Sequence, residues 1–148
     1  MKLETIFNKV KSILEADAVL KTYIKKVYSG TRSDIPTSNF PCIFLEPTDA
    51  PEKDVTIPHG IEVGFGMMIV AYIKVMDIDK QIVGDATTKG ILDVNYDIKK
   101  ALGAYVDLDG TCLTYTLPDT RFTFENYPFR GVEIDLDILL KQNFVTRA

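Results

Sequence analysis

The segment Ile61-Glu62-Val63-Gly64-Phe65-Gly66-Met67-Met68-Ile69-Val70-Ala71-Tyr72-Ile73-Lys74-Val75 decides the fold. Every odd position from Ile61 to Val75 is apolar, the period of an extended strand with one face in a core. Fifteen residues at ~3.3 Å each span about 50 Å, several times the usual strand length. Such a strand must bend or project past its own core. The even positions begin with Glu62, Gly64 and Gly66 and become Met68, Val70 and Tyr72. One end is therefore expected to be covered on both faces, by a helix on the second.

A second alternating run, Val132-Glu133-Ile134-Asp135-Leu136-Asp137-Ile138, follows the turn Tyr127-Pro128-Phe129-Arg130-Gly131. Its apolar set faces a core. Its acidic set forms a row of like charges roughly 6–7 Å apart, costly unless water or a partner screens it. Together with the turn before it, this run reads as a closing hairpin from Tyr127 to Leu140.

Between these strands the chain supplies helices. Leu3, Ile6, Phe7, Val10, Ile13 and Leu14 recur at three- and four-residue spacing, which predicts an amphipathic helix. Val19, Leu20, Tyr23, Ile24 and Val27 predict a second one, capped by Asp17 and stopped at Ser29-Gly30, so residues 1–28 read as a helical segment. A strand at Cys42–Glu46 is bracketed by Pro41 and Pro47, where ladder hydrogen bonds should end. Residues 47–60, proline-rich and acidic, read as an exposed loop or arm. A further helix capped by Asp77 or Asp79 is expected to run through Ile82, Val83 and Ala86, shift register near Gly90, and end at Gly103. Leu113, Tyr115, Leu117, Phe122 and Phe124 alternate with polar residues in one or two more strands. The expected fold is α+β: an antiparallel, mostly long-stranded sheet packed on one face by helices, a two-layer sandwich.

The 148 residues suit one domain, able to bury roughly 70% of its unfolded surface. No stretch approaches the ~18 uninterrupted apolar residues of a membrane span. The opening Met1-Lys2-Leu3-Glu4 lacks a leader's apolar core, so the chain is expected to begin here and stay in the cytoplasm. Cys42 and Cys112, in unrelated contexts, read as buried reduced thiols. Residues 1–30 carry six lysines against three acids, leaving −7 on the remainder within a net charge of −4. That balance excludes a general nucleic-acid binder. Lys2, Lys9, Lys11, Lys21, Lys25 and Lys26 read as the solvated face opposite the apolar stripe, with phosphate contact as the lesser reading.

Chemistry is hard to assemble. His59, the only histidine, sits between Pro58 and Gly60 with no nucleophile motif to recruit it. Gly64-Phe65-Gly66 lies inside a strand and opens no helix, so a bulge or close backbone approach explains it better than a dinucleotide site. Asp107-Leu108-Asp109-Gly110 lacks the later ligands of a calcium loop. Asp77, Asp79 and Asp85 read as a helix's acidic first turn. No catalytic, cofactor or metal residues are assigned, and the chain is not expected to be an enzyme.

In element order, the combination resembles the tail-terminator (tail-completion) proteins of long-tailed bacteriophages and related minor tail or head–tail joining proteins. The residues carrying the resemblance are the N-terminal helix, Phe40-Pro41-Cys42-Ile43-Phe44-Leu45, the proline-rich loop, the long strand, the helix after it and the Tyr127–Leu140 hairpin. The resemblance implies a non-enzymatic virion subunit of the tail or neck, assembled in the host cytoplasm. It would form a hexameric ring that caps the tail tube and meets the head connector, with DNA only as passing cargo. Pro51, Glu52, Lys53, Asp54, Glu133, Asp135 and Asp137 are the expected protein-interface residues. The other reading of the same pattern is an adaptor or inhibitor module capturing a partner through its sheet edge.

Overall fold

The structure is a computed structural model describing residues 3–54, 61–105, 108, 110, 112, 114–124 and 127–142. His59, Asp107 and Asp109 lie outside the described residues, as do the side chains of Glu52, Lys53 and Asp54.

Helix α1, Leu3–Ala16, buries Ile6, Val10, Ile13 and Leu14, the stripe read from the sequence. The Asp17 carboxylate then accepts the N–H groups of Val19 (3.1 Å) and Leu20 (3.0 Å). What it caps is a single 3-10 turn, Leu20–Thr22, and strand β1, Lys26–Ser29, follows. The helix expected here fails because Val27 and Tyr28 are both buried, on opposite faces of the sheet. Adjacent residues can do that in a strand and not in a helix.

Strands β2 (Cys42–Asp49), β3 (Glu52–Asp54) and β4 (Ile61–Lys74) are followed by helix α2 (Ile91–Gly103) and strands β5 (Thr114–Thr116), β6 (Thr120–Thr123) and β7 (Phe129–Gln142). The fold is α+β, with seven strands among the described residues, in the order β1-β2-β4-β7-β5; β3 also pairs with β4, and β6 with β7. β4 and β7 form one continuous antiparallel ladder from Ile61↔Gln142 to Lys74↔Phe129. The run read as a closing hairpin is thus a full-length central strand, and its hairpin partner is β6. The sheet is mixed and not wholly antiparallel, because β1 runs parallel to β2. The connection over residues 30–41 has the length a parallel crossover requires, a dozen or more residues. β2 does not stop at Pro47. It continues to Asp49 through a register shift between Pro47 and Asp49 opposite Met67 and Gly66, a bulge that lets proline remain inside a strand. The 47–60 segment therefore contributes the end of β2 and all of β3.

Both helices lie on one face. α1 sits over β1 and α2 over β4 and β7, around Val63, Met67, Ile69, Ile73, Val132, Ile134 and Leu136. The second cover expected over Val70 and Tyr72 is not a helix. Ile35 and Phe40 from the 30–41 connection pack there with Tyr28, Cys42 and Phe44.

α2 begins at Ile91, well after the expected start, because residues 77–90 satisfy their backbone groups locally. Asp77 caps only the 3-10 turn Ile78–Lys80. The Asp85 carboxylate accepts from Thr87 N (2.9 Å), Thr87 Oγ1 (3.0 Å) and Thr88 N (2.9 Å). Asp93, in the first turn of α2, accepts from Gly90 N (3.0 Å) and Gly84 N (3.2 Å), closing the loop onto the helix. Among the described residues no helix is long and apolar enough to cross a membrane.

Candidate interaction surfaces

The sheet face turned away from the helices has two halves. In the first, cross-strand register aligns Phe44, Val70 and Glu133, then Glu46, Met68 and Asp135, then Asp49, Gly66 and Asp137. The acidic side chains therefore share one surface, as partners across a ladder point to the same side. At Gly66 a Cβ would meet the Asp49 carboxylate and Thr48 Oγ1, which would have to swing aside. The Gly64 N–H bonds to Pro51 O at 2.8 Å, so both glycines serve close approaches of the 48–51 segment.

The acidic row has a partner within its own chain. Arg121 of β6, which pairs with Glu133 across the ladder, holds Asp135 by both terminal nitrogens (2.9 and 2.8 Å) and Glu133 by Nε (3.1 Å). A bidentate guanidinium–carboxylate fork is the strong form of this interaction. Hydrogen bonding from Arg121 holds the Asp135 carboxyl below the usual carboxylate range. The same carboxylates raise the guanidinium's already high value further. Asp137 stays exposed. The alternating Thr120–Phe124 run contained the signal, a lone arginine one turn upstream of the acidic row. Sequence spacing alone could not pair it with Glu133.

A group whose folded pKa is depressed adds stability above its unfolded value and loses it as pH falls. Replacing Arg121→Gln is therefore expected to cost most above about pH 5, where the Asp135 carboxylate is charged. The gap to wild type should close below the ordinary value of 3.8. Urea melts at about pH 6 and about pH 2.5 measure it; an equal gap at both would contradict the pairing.

The other half of this face is aromatic. Tyr28 stacks on Phe44 (5.5 Å), Phe44 meets Tyr72 edge-on (5.8 Å), and Phe40 packs on Phe129 (5.1 Å). Phe40, Phe44, Tyr72 and Phe129 border a groove of about 420 Å³. Arg32 and Lys26 lie 4.9 and 5.2 Å from the Tyr28 ring centroid. Burial pushes the Cys42 thiol beneath up to about 12, so it is no nucleophile at neutral pH.

One buried carboxylate escaped the sequence reading. Asp97, 9% exposed, accepts from Tyr23 Oη (2.7 Å) and Lys89 Nζ (3.1 Å). Burial, then Asp97, drives the Tyr23 hydroxyl well above its ordinary value. The cluster ties the segment after α1 to α2. Its signal was an acid three residues after Val94 in the apolar stripe. No cluster of His, Cys, Asp or Glu able to hold a metal occurs among the described residues.

Beyond β6 the helix layer ends in exposed apolar side chains: Met76, Ile82, Val83, Phe122, Phe124 and Tyr127, each 46–63% exposed. Tyr127 Oη donates to Met76 O (2.7 Å), and the Arg130 guanidinium lies 4.3 Å from the Phe124 ring centroid. Arg130 Nε in turn donates to Gln81 Oε1 (3.0 Å). These links join Tyr127 to Met76, and Phe124 through Arg130 to Gln81, which precedes Ile82 and Val83.

No protein-family model and no curated protein matches the chain. Among solved structures the chain is similar to one in the virion of a native gene transfer agent particle. The TM-score is 0.64 at 14% identity, over 90% of this chain and 92% of that one. At that identity the likeness is one of fold.

Proposed function

We propose that this chain is a structural subunit of a phage-like virion, and within it a tail terminator: a subunit of a hexameric ring that caps the tail tube and meets the head connector. The observation that carries the reading is the likeness, over nearly the full length of both chains, to a virion component. The part of the element order that the fold retains, an N-terminal helix, a long strand, a helix and a long closing strand, supports the narrower role. So does the geometry, since a ladder as long as β4–β7 offers surfaces to neighbours on several sides. The interaction is passive docking, with no bond made or broken.

In this reading the β2–β3 arm, with Pro51, Glu52, Lys53 and Asp54, contacts a neighbouring subunit or the tube. Glu133, Asp135 and Asp137 border the ring's lumen. Arg121 neutralises part of that row, leaving a weakly acidic wall past which DNA slides without sticking. The protein is assembled in the host cytoplasm and resides in the tail or neck.

Added to polymerising tube protein, the chain should stop growth and give short tubes of uniform length; unchanged tube length would sink the terminator role. Replacing Glu133, Asp135 and Asp137 together by Lys should impair assembly or DNA passage. Particles that assemble and eject normally would reduce the row to a solvated face.

A further inference from the structure

The two side edges of the helix layer are complementary in charge. At the β6 edge the pairing Phe122↔Val132 puts Phe122 on the helix side, since Val132 belongs to the helix-side core, and Phe124 shares that side by alternation. With Met76, Ile82, Val83 and Tyr127, each about half exposed, they make this edge rich in apolar side chains. Asp77, Asp79 and Asp85 border it, against Lys80, which reaches Asp85 (2.9 Å) and Asp77 (3.9 Å).

The opposite edge lies four strand spacings away, roughly 19 Å, on the same ladder row: Lys26↔Cys42↔Tyr72↔Gly131↔Thr123. There a cleft of about 200 Å³ opens between α1 and β1, lined by Leu14, Ile24 and Val27 and by Lys21, Lys25 and Glu15; the Lys26 ammonium lies on the other sheet face, over Tyr28. A cavity of about 150 Å³ suffices for a benzene ring. The apolar knob is bordered by an acidic excess, and the cleft, part polar and part apolar, by a basic one.

We infer that these edges bind each other between copies: Phe122, supported by Phe124, enters the Leu14–Ile24–Val27 cleft of the next copy, with the lysines over the aromatic ring and facing Asp77 and Asp79. Six half-exposed large side chains present several hundred Å², on the scale of one partner's ~800 Å² share of a standard interface. That area suits a folded subunit. The contact is heterologous, because knob and cleft are different surfaces, and it closes into a ring where the rotation permits. Ring closure and virion role rest on the proposed function; the contact does not.

Two variants decide it. F122D/F124D loses the knob and keeps the cleft; K21E/K25E loses the cleft's charge and keeps the knob. Wild type should show concentration-dependent association by sedimentation up to about 1 mM, weakened by salt. Each variant alone should associate at least roughly thirtyfold more weakly, the loss of a hot-spot residue. An equimolar mixture should form a dimer and nothing larger, because one functional contact remains per pair. Recovery in the mixture also shows that both variants fold. Wild type that stays monomeric at about 1 mM, variants that associate normally, or a mixture without dimer would each overturn the contact. Wild type that assembles while the variants do too leaves the ring and moves it to another surface.

Discussion

Gln81→Ala is expected to destabilise the protein by about 3 kcal/mol, the cost of stranding buried polar partners and opening a small void. Gln81 is 1% exposed, one of two buried polar or charged side chains among the described residues. Its Nε2 donates to Val75 O (2.9 Å) and its Oε1 accepts from Arg130 Nε (3.0 Å). Its backbone carbonyl accepts the Ile91 N–H (2.8 Å) at the start of α2. The residue therefore joins the end of β4, the start of β7 and the helix. Gln81→Met, which keeps the shape without the hydrogen bonds, should lose nearly as much. Urea denaturation measures both; a loss under about 1 kcal/mol would make the hydrogen bonds incidental. Because Gln81 positions Arg130 beneath Phe124, both variants should also weaken self-association through the β6 edge.

Gly90→Ala should cost a similar amount, about 2–4 kcal/mol, by backbone collision. A Cβ at Gly90 would strike Ile82 O and lie 2.6 Å from Gly84 N. Those atoms are main chain and cannot rotate away. The loop would have to open, freeing Leu92 N from Ile82 O (3.2 Å) and moving the Asp93 carboxylate from Gly84. Gly103 is the internal contrast: a Cβ there meets nothing within 4 Å. Gly103→Ala, in the last turn of α2, should be neutral or stabilise by about 0.5–1 kcal/mol. Equal effects at the two glycines would contradict the packed loop.

Much of the architecture was legible in residue periodicity. The 61–75 alternation gave β4 and the helix-side core, and the α1 stripe matches the buried set. What escaped was decided by contacts distant in sequence. Val27 and Tyr28 fit a helical stripe until each is placed on its own face of the sheet. Ile82 and Val83 fit another until Asp85 and Asp93 claim the loop's N–H groups. Pro47 marked a strand end by local rule, yet a bulge lets β2 pass it. The acidic row was visible in the sequence, but its partner Arg121 was not, because an antiparallel ladder joins residues with no fixed sequence spacing. Asp97 was hidden in the same way, since Tyr23 lies 74 residues upstream.

The most direct test of the central proposal is electron cryomicroscopy of tails assembled from tube protein with and without this chain. The expected result is a ring of six copies at one tube end, with adjacent copies meeting through the β6 and α1–β1 edges. Tubes of unrestricted length with bare ends, and the chain left in solution, would contradict it.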